Sequence, residues 1–301
     1  MRECSLTLTI LTYNSEKYLN ELLNSIAGQA AKDIQVIISD DCSTDQSVEL
    51  VKNWKSIHEQ LFFEIVFITS PSNTGVVENK KRTFKYIKGT WTKGIAGDDL
   101  LHPSAIKHIK NDIIEFINSR VIIGKAQVFG EGIDSPFSIP KDEITQRLNS
   151  VEKIKNYIFE GNTLPAISLL VKSEILTNED FFKHAKKNFE DVPFHLELLT
   201  KNIQFSFSNN TYILYRKHFE NLSLKKSDKV LSSFYIDYQR ILLIYAVRNN
   251  RWIYSLNSLW NMCLGYLIIK LGNKGTLFRW LNQFRRKLQP KRFKNLFIKP
   301  Y

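Results

Sequence analysis

Segments with the pattern of strands alternate with segments with the pattern of helices over the first 130 residues of the chain. Runs rich in Val, Ile, Thr and Phe, as buried strands are, lie at 5–11, 33–39, 61–69, 90–96 and 120–129. Between them apolar residues recur at helical spacing, as at Tyr18, Leu22 and Ile26. Strands that alternate with helices form parallel sheets. The sequence therefore predicts an α/β fold with a mostly parallel sheet flanked by helices.

Polar segments follow the predicted strands, at 12–14, 40–43, 72–75 and 98–99. Ligands of such sheets bind beyond the carboxyl ends of the strands, so we expect these four segments to face one crevice. The last of them is the pair Asp98 and Asp99. Adjacent carboxylates repel each other unless a cation lies beside them, so this pair suggests a bound metal.

The sequence contains neither a GxGxxG motif after the first strand nor a GxxxxGKS motif, so no glycine-rich phosphate site is indicated. An acidic crevice can hold a phosphate through a divalent cation, and carboxylate oxygens suit Mg²⁺ or Mn²⁺. The alternative is that each Asp is a helix cap or a turn residue. Two acidic pairs, at 40–41 and 98–99, after two strands of one sheet favour the metal.

Several segments, taken together, resemble the family-2 inverting glycosyltransferases, which have the GT-A fold. In order, those of the nucleotide-sugar half are LTILTYNSEKYLNELLNSI, DIQVIISDDCSTDQSVELV, SNTGVVENKKRTFKYIKGTW and IAGDDLLHP. KNFEDVPFHLELLTKN and YILYRKHFENLS resemble the family's later acidic motif and the segment after it. The resemblance covers about residues 5–223 and implies a Rossmann-like sheet of the GT-A type.

The resemblance implies a pocket for the nucleotide of a sugar donor. Thr12, Tyr13 and Asn14 would line it, and Asp41 would accept a hydrogen bond from the ring N–H of uracil or thymine. Lys80 belongs to a basic cluster that would steer the donor phosphates; the alternative is a solvated helix face.

The resemblance also implies a metal and a catalytic base. Asp98 and Asp99 would bind the ribose and Mn²⁺ or Mg²⁺, which in turn holds the diphosphate. Asp191 would be the base, because inversion requires the attacking acceptor hydroxyl to lose a proton; on spacing alone it would be a helix cap. Ala96 stands where many members have a third Asp. His218 either contacts the diphosphate or the metal, or is a packing residue.

We divide the chain into a glycosyltransferase domain, 1–225, and an extension, 226–301. Within the domain, residues 1–100 are expected to bind the nucleotide-sugar and 101–225 to supply the acceptor side and the catalytic base. Loop-like segments in the second half suit acceptor selection, since substrate choice usually lies in loops above a rigid sheet.

The net charge of +12 belongs to the extension. No acidic residue follows Asp237, whereas thirteen lysines and arginines do, so residues 1–237 carry a net charge of −1. Residues 252–269 lack charge, but Asn257 and Asn261 within them oppose a transmembrane helix. We expect a basic amphipathic helical extension that lies on an anionic membrane surface; the alternative is that its helices pack on the catalytic domain.

The cysteines and the N-terminus indicate a compartment. Cys4, Cys42 and Cys263 have neither disulfide nor zinc spacing. The N-terminal apolar run is too short for a signal peptide. We predict a cytoplasmic protein, peripheral on the inner face of the cytoplasmic membrane.

Three functions remain open. The first is a metal-dependent inverting glycosyltransferase that moves a sugar from a nucleotide-sugar, expected to be a UDP-sugar, to a lipid-linked glycan in bacterial O-antigen or capsule synthesis. The second is a nucleic-acid-binding protein whose basic aromatic tail contacts phosphates. It leaves the acidic crevice without a role, so no nucleic-acid partner is expected. The third is a sugar nucleotidyltransferase, which would release pyrophosphate.

Overall fold

A computed structural model of the protein describes residues 3–186, 190–218 and 228–271. The strands within these ranges are β1 (Leu6–Thr12), β2 (Ile34–Asp40), β3 (Glu64–Thr69), β4 (Trp91–Ala96), β5 (Leu100–Leu101), β6 (Val121–Gly130), β7 (Phe137–Ile139), β8 (Leu169–Lys172) and β9 (Phe205–Lys217). The helices are α1 (Glu16–Ala27), α2 (Ser47–His58), α3 (Val76–Phe84), α4 (Ala105–Glu115), α5 (Asp142–Arg147), α6 (Val151–Phe159), α7 (Ser173–Leu176), α8 (Asp191–Thr200), α9 (Asp228–Arg248) and α10 (Trp252–Leu271).

These strands form one sheet in the order β3-β2-β1-β4-β8-β6-β9-β5, with β7 paired to β6. The predicted α/β class is confirmed, and the five predicted strands are β1 to β4 and β6. The largest shift is at β3, which begins at Glu64 instead of residue 61. The reason is that α2 continues into a 3₁₀ turn, Glu59–Leu61, which includes the first residue of the predicted strand.

The first four strands run parallel, and β1 lies between β2 and β4. Leu6, Leu8 and Ile10 of β1 are buried in one cluster with the apolar stripe of α1. Strands covered on both faces read as nearly continuous apolar runs. The polar segments that follow β1, β2 and β4 therefore meet at one edge of the sheet.

The second half of the sheet is mixed, and β8 is a reversed strand in its interior. β8 pairs antiparallel with both β4 and β6, and β9 pairs parallel with β6. As a result β9 runs in the same direction as β4, and both end at the same edge. The short strand β5 pairs antiparallel with β9 at Leu214 and Ile213, so the turn that contains Asp98 and Asp99 lies against the end of β9.

Helix α9, in the predicted extension, packs into the hydrophobic core. Its side chains Tyr238, Ile241, Leu242 and Tyr245 are buried in one cluster with Phe194 of α8. Of the two alternatives given for the extension, the structure shows the second for α9: this helix packs on the catalytic domain. The predicted boundary at residue 225 and the basic residues beyond 271 lie outside the described residues.

Helix α10 packs on α9. Ser255, Ser258 and Asn261 of α10 are buried, while several of its large apolar side chains are exposed. None of the helices in the described ranges combines the length and the hydropathy needed to cross a membrane.

Candidate active site

The ends of β1 and β2 form one polar surface. The hydroxyl of Thr12 donates to the carboxylate of Asp40 at 2.9 Å, and the backbone N–H of Ser43 donates to the same carboxylate at 2.8 Å. The backbone N–H of Asn14 donates to the hydroxyl of Ser43 at 2.8 Å. Tyr13 lies between them with an exposed ring. The predicted pocket residues 12–14 are thus brought together with the segment that follows β2.

Asp41 is only 2% exposed and holds the loop that precedes α3. Its carboxylate accepts hydrogen bonds from the backbone N–H groups of Thr74 at 3.0 Å and Gly75 at 2.7 Å. The Thr74 hydroxyl, at 2.9 Å, and the guanidinium of Arg82 also donate to it. A carboxylate offers about four lone-pair sites, so a nucleobase N–H that bonded to Asp41 would share an oxygen with one of these donors.

The two carboxylates of the acidic pair point in different directions. Oδ2 of Asp98 lies 2.9 Å from Nε2 of His218, and the Asp98 side chain is 30% exposed. Oδ1 of Asp99 accepts a hydrogen bond from the backbone N–H of Arg216 at 2.9 Å, and this residue is 1% exposed. The pair therefore separates into one carboxylate that faces the crevice and one that ties the turn to β9.

Arg216 fixes this turn, and sequence reasoning did not identify it. Its Nε donates to the backbone carbonyl of Asp98 at 2.9 Å, and its Nη2 donates to Glu21 at 2.8 Å. Its guanidinium lies 4.6 Å from the ring centroid of Tyr18, and the His218 ring lies 4.8 Å from the same ring. The available signal was the basic run YRKH at 215–218, within the segment YILYRKHFENLS that the resemblance singled out.

A buried lysine lies below the acidic turn. Lys93, in the middle of β4, has no exposed surface, and its ammonium donates to the backbone carbonyls of Gly94 and Ile167. Burial lowers the pKa of Lys93 to about 7, against the opposing effect of the Asp99 charge. Burial, reinforced by the charge of Asp98, raises the pKa of Asp99 to about 8. Burial thus shifts the pKa of each group toward its neutral form, and it does so for both Asp99 and Lys93.

The helix that carries the predicted base joins the nucleotide half through an ion pair. α8 begins at Asp191, and Glu190 before it does not cap the helix with its side chain. Glu190 instead contacts Nζ of Lys80 at 3.1 Å. The predicted residues Lys80 and Asp191 are therefore brought to adjoining positions, whereas the roles implied for them remain predictions.

The far end of α8 is anchored by Glu197, whose carboxylate is fully buried. It accepts hydrogen bonds from the Tyr245 hydroxyl at 2.6 Å and from Arg248 at 2.8 Å, and Nζ of Lys183 lies 3.2 Å away. Burial alone would raise the pKa of Glu197, but the hydrogen bonds from Arg248, Tyr245 and Lys183 lower it to about 2. This cluster connects the helix of the predicted base to α9.

The residues that best fit a divalent cation are Asp98 and His218, which present an oxygen and a nitrogen at one point of the crevice. Such cations, when they bind nucleotides, take one or two protein ligands, and phosphate oxygens and waters complete the coordination. Among the described residues no group of three His, Cys, Asp or Glu is arranged to hold a metal. Oδ1 of Asp99 is bound by the backbone N–H of Arg216, and the metal role implied for Asp99 remains a prediction.

Comparison of the sequence with known proteins gives a consistent result. Residues 7–159, more than half of the chain, match the profile of Glycosyl transferase family 2. The chain is 25% identical over 247 residues to the poly(ribitol-phosphate) beta-N-acetylglucosaminyltransferase TarS of Staphylococcus aureus, over 80% of this chain and 40% of TarS. It is 30% identical over 227 residues to TarP of the same species, which has the same enzyme name as TarS. This match covers 72% of this chain and 65% of TarP. The chain spans less than two thirds of the length of TarS and of TarP.

Solved structures share the fold. The crystal structure of S. aureus TarS 1–349 matches with a TM-score of 0.62 at 19% identity, over 97% of this chain and 83% of that chain. Glucosyl-3-phosphoglycerate synthase of Mycobacterium tuberculosis, solved with Mn²⁺, UDP and glucosyl-3-phosphoglycerate, matches with a TM-score of 0.51 at 11% identity, over 81% and 79%. These likenesses confirm a GT-A-like fold. The matched profile favours a glycosyltransferase over the other two classes of protein left open by the sequence: the chain belongs to glycosyl transferase family 2.

Proposed function

We propose that the protein transfers a sugar, with inversion, from a UDP-sugar to a hydroxyl of a lipid-linked glycan in bacterial surface polysaccharide synthesis. The cofactor is Mn²⁺ or Mg²⁺, and the protein works on the cytoplasmic face of the membrane. The observation that carries this proposal is the meeting of Asp98 and His218 at the sheet edge where the polar ends of β1 and β2 also lie. A crystal structure of TarS in complex with UDP-GlcNAc supports the choice of donor.

The nucleotide lies against the ends of β1 and β2. The exposed ring of Tyr13 offers a stacking surface for the base, and Thr12 and Asn14 fix the backbone on either side of it. Asp41 acts by holding the loop at 71–75 against β2. If Asp41 also accepts a hydrogen bond from the ring N–H of the base, the accepting oxygen is shared with one of the protein donors.

The diphosphate lies beside the acidic turn. Asp98 and His218 would hold the cation, which when bound would neutralise the charge that develops on the departing diphosphate. Arg216 keeps Asp98 in place by donating to the backbone carbonyl of Asp98, and the positive charge of Arg216 is balanced by Glu21. Asp99, whose Oδ1 is bound by the backbone N–H of Arg216, is the further candidate ligand through its other carboxylate oxygen.

Asp191 accepts the proton of the acceptor hydroxyl as the hydroxyl oxygen attacks the anomeric carbon from the face opposite UDP. The bond between the sugar and the diphosphate oxygen breaks as the new glycosidic bond forms. Lys80 holds Glu190, and therefore the start of α8, next to the nucleotide half. It also places a positive charge where donor phosphates approach.

The acceptor is a surface glycan or glycopolymer that offers a free hydroxyl. TarS and TarP are named for transfer to poly(ribitol-phosphate), so we include this polymer beside lipid-linked oligosaccharides among the acceptors to be tried. The loop that precedes β7 and the segment between α6 and β8 are the expected acceptor side.

A thermal-shift panel of UDP-, dTDP- and GDP-sugars, each with Mn²⁺ and with EDTA, tests the donor assignment. A ligand that binds the folded state raises the melting temperature by mass action. We expect UDP-sugars to stabilise the protein, and more strongly with Mn²⁺. Stabilisation by none of the donors, or by GDP-sugars alone, contradicts the proposed donor.

A further inference from the structure

Helix α10 turns an apolar face outward. Six of its large apolar side chains are between 48% and 82% exposed; these residues, called the α10 face below, are Trp252, Ile253, Leu256, Leu259, Trp260 and Tyr266. The opposite side of the helix is buried, although it carries the small polar residues Ser255, Ser258 and Asn261. An ordinary surface helix has the reverse arrangement. The α10 face therefore needs a partner that the described part of the chain does not supply.

The spacing of the α10 face makes it continuous. Trp252, Leu256, Leu259 and Tyr266 follow the three- and four-residue steps that place side chains on one side of a helix. The segment 252–269 contains no charged residue. Two tryptophans on one face are typical of helices that lie in the interfacial region of a bilayer.

Charge decides between the possible partners. The chain after Asp237 carries thirteen positive charges and no negative one. A second copy of the same segment brings the same positive charges and would be repelled, whereas an anionic surface is attracted at about 1 kcal/mol for each Lys or Arg held near it. Arg248 and Arg251 do not take part, because they pair with Glu197 and Glu152.

We propose that the α10 face is the surface by which the protein docks on an anionic membrane, with the helix axis in the membrane plane. This inference rests on the proposed function, since a lipid-linked acceptor requires an active site held at the bilayer. The structure offers a direct connection: α10 packs on α9, and Arg248 of α9 binds Glu197 of the helix that begins at Asp191.

The test uses the full-length chain and vesicles of phosphatidylcholine, with and without phosphatidylglycerol. The variant Leu256→Ser/Trp260→Ser removes the centre of the α10 face. The matched control is Ile57→Ser/Ile114→Ser, which alters two apolar residues on α2 and α4 that are at least as exposed. Co-sedimentation at low and high salt measures binding, and calorimetry with UDP and Mn²⁺ reports whether the donor site is intact.

We expect the wild type and the control to bind vesicles that contain phosphatidylglycerol at low salt, and more weakly at high salt, because salt screens the attraction. The α10 variant should bind at least about tenfold more weakly, since two large apolar side chains no longer leave water. Acyl chains labelled with bromine should quench tryptophan fluorescence in the wild type. This quenching should decrease in the variant Trp252→Phe/Trp260→Phe.

Three results overturn the proposal: the wild type stays in the supernatant at low salt, the α10 variant binds as the wild type does, or bromolipids quench the Trp252→Phe/Trp260→Phe variant as strongly as the wild type. Sedimentation of the wild type as a dimer without vesicles, with the α10 variant as a monomer, assigns the face to self-association and also overturns it. Failure of the proposed function gives a different result, namely vesicle binding without UDP binding.

Discussion

The Oδ2 atom of Asp98 lies 2.9 Å from the Nε2 atom of His218, and this contact joins the turn after β4 to the end of β9. The neighbouring carboxylate, Asp99, is turned toward the backbone of Arg216 instead. Adjacent residues in the sequence therefore have different surroundings, and only one of the two carboxylates faces the crevice.

Asp98→Asn tests the outward carboxylate. The amide keeps the shape of the side chain but removes its negative charge, so the affinity for UDP in the presence of Mn²⁺ should fall at least about tenfold. Calorimetry measures the affinity, and the melting temperature without ligand shows that the fold is kept. Glu49→Gln, an exposed carboxylate on α2, is the control and should bind UDP as the wild type does. An unchanged affinity in Asp98→Asn would remove this residue from the site.

Asp191→Asn separates chemistry from binding. The amide can still hydrogen-bond at the start of α8 but cannot accept a proton, so transfer should fall by roughly 10²–10⁴-fold. The affinity for UDP should stay close to that of the wild type, because Asp191 acts on the acceptor. Asp180→Asn, which alters an exposed carboxylate at the start of a helical turn, should keep full turnover. Full turnover by Asp191→Asn would reduce Asp191 to a helix cap.

Glu197→Gln should destabilise the protein. The change leaves Arg248 and Lys183 without their buried partner, but both cations are partly exposed and regain water, so we expect a loss of about 2 kcal/mol in the free energy of unfolding. The control is Glu174→Gln, which breaks an exposed contact with Arg120 at 3.0 Å and should cost less than about 0.5 kcal/mol. Urea unfolding measures both. Equal losses would mean that the Glu197 cluster does not secure α8 to α9.

The same cluster predicts an acid dependence. Glu197 has a pKa of about 2 in the folded protein, whereas an unfolded Glu titrates near about 4.3. The unfolded state binds the proton more readily, so the contribution of Glu197 is fully present above about pH 5 and is lost as the pH falls toward about 2. Between these limits the wild type should lose more unfolding free energy than Glu197→Gln does. Parallel curves for the two proteins contradict the assignment.

The parallel half of the fold could be predicted from the sequence because β1, β2 and β4 are covered on both faces and form apolar runs. The direction of β8 could not be, since it depends on pairing with β4 and β6, which are distant in the chain. The packing partner of helix α9 could not be predicted either. Tyr238, Leu242 and Tyr245 have the spacing of any amphipathic helix, and this spacing is the same whether the apolar side contacts a protein core or a membrane.

The candidate site, like the fold, could be predicted from the sequence only in part. The polar segments after the strands could be placed at one edge because parallel strands end together. The partners of individual side chains could not be inferred, because they come from remote parts of the chain. Arg82 reaches Asp41 from α3, and Arg216 reaches the acidic turn from the last strand. The inward orientation of Asp99 comes from a second contact of the same residue, the hydrogen bond from the backbone N–H of Arg216.

Calorimetric titration of the wild-type protein with UDP, in Mn²⁺ and again in EDTA, tests the central claim most directly. The account predicts binding in Mn²⁺ that is at least about tenfold tighter than in EDTA, because Asp98 and His218 are proposed to hold the diphosphate through the cation. Equal affinities in the two buffers, or no binding of UDP in Mn²⁺, would contradict it.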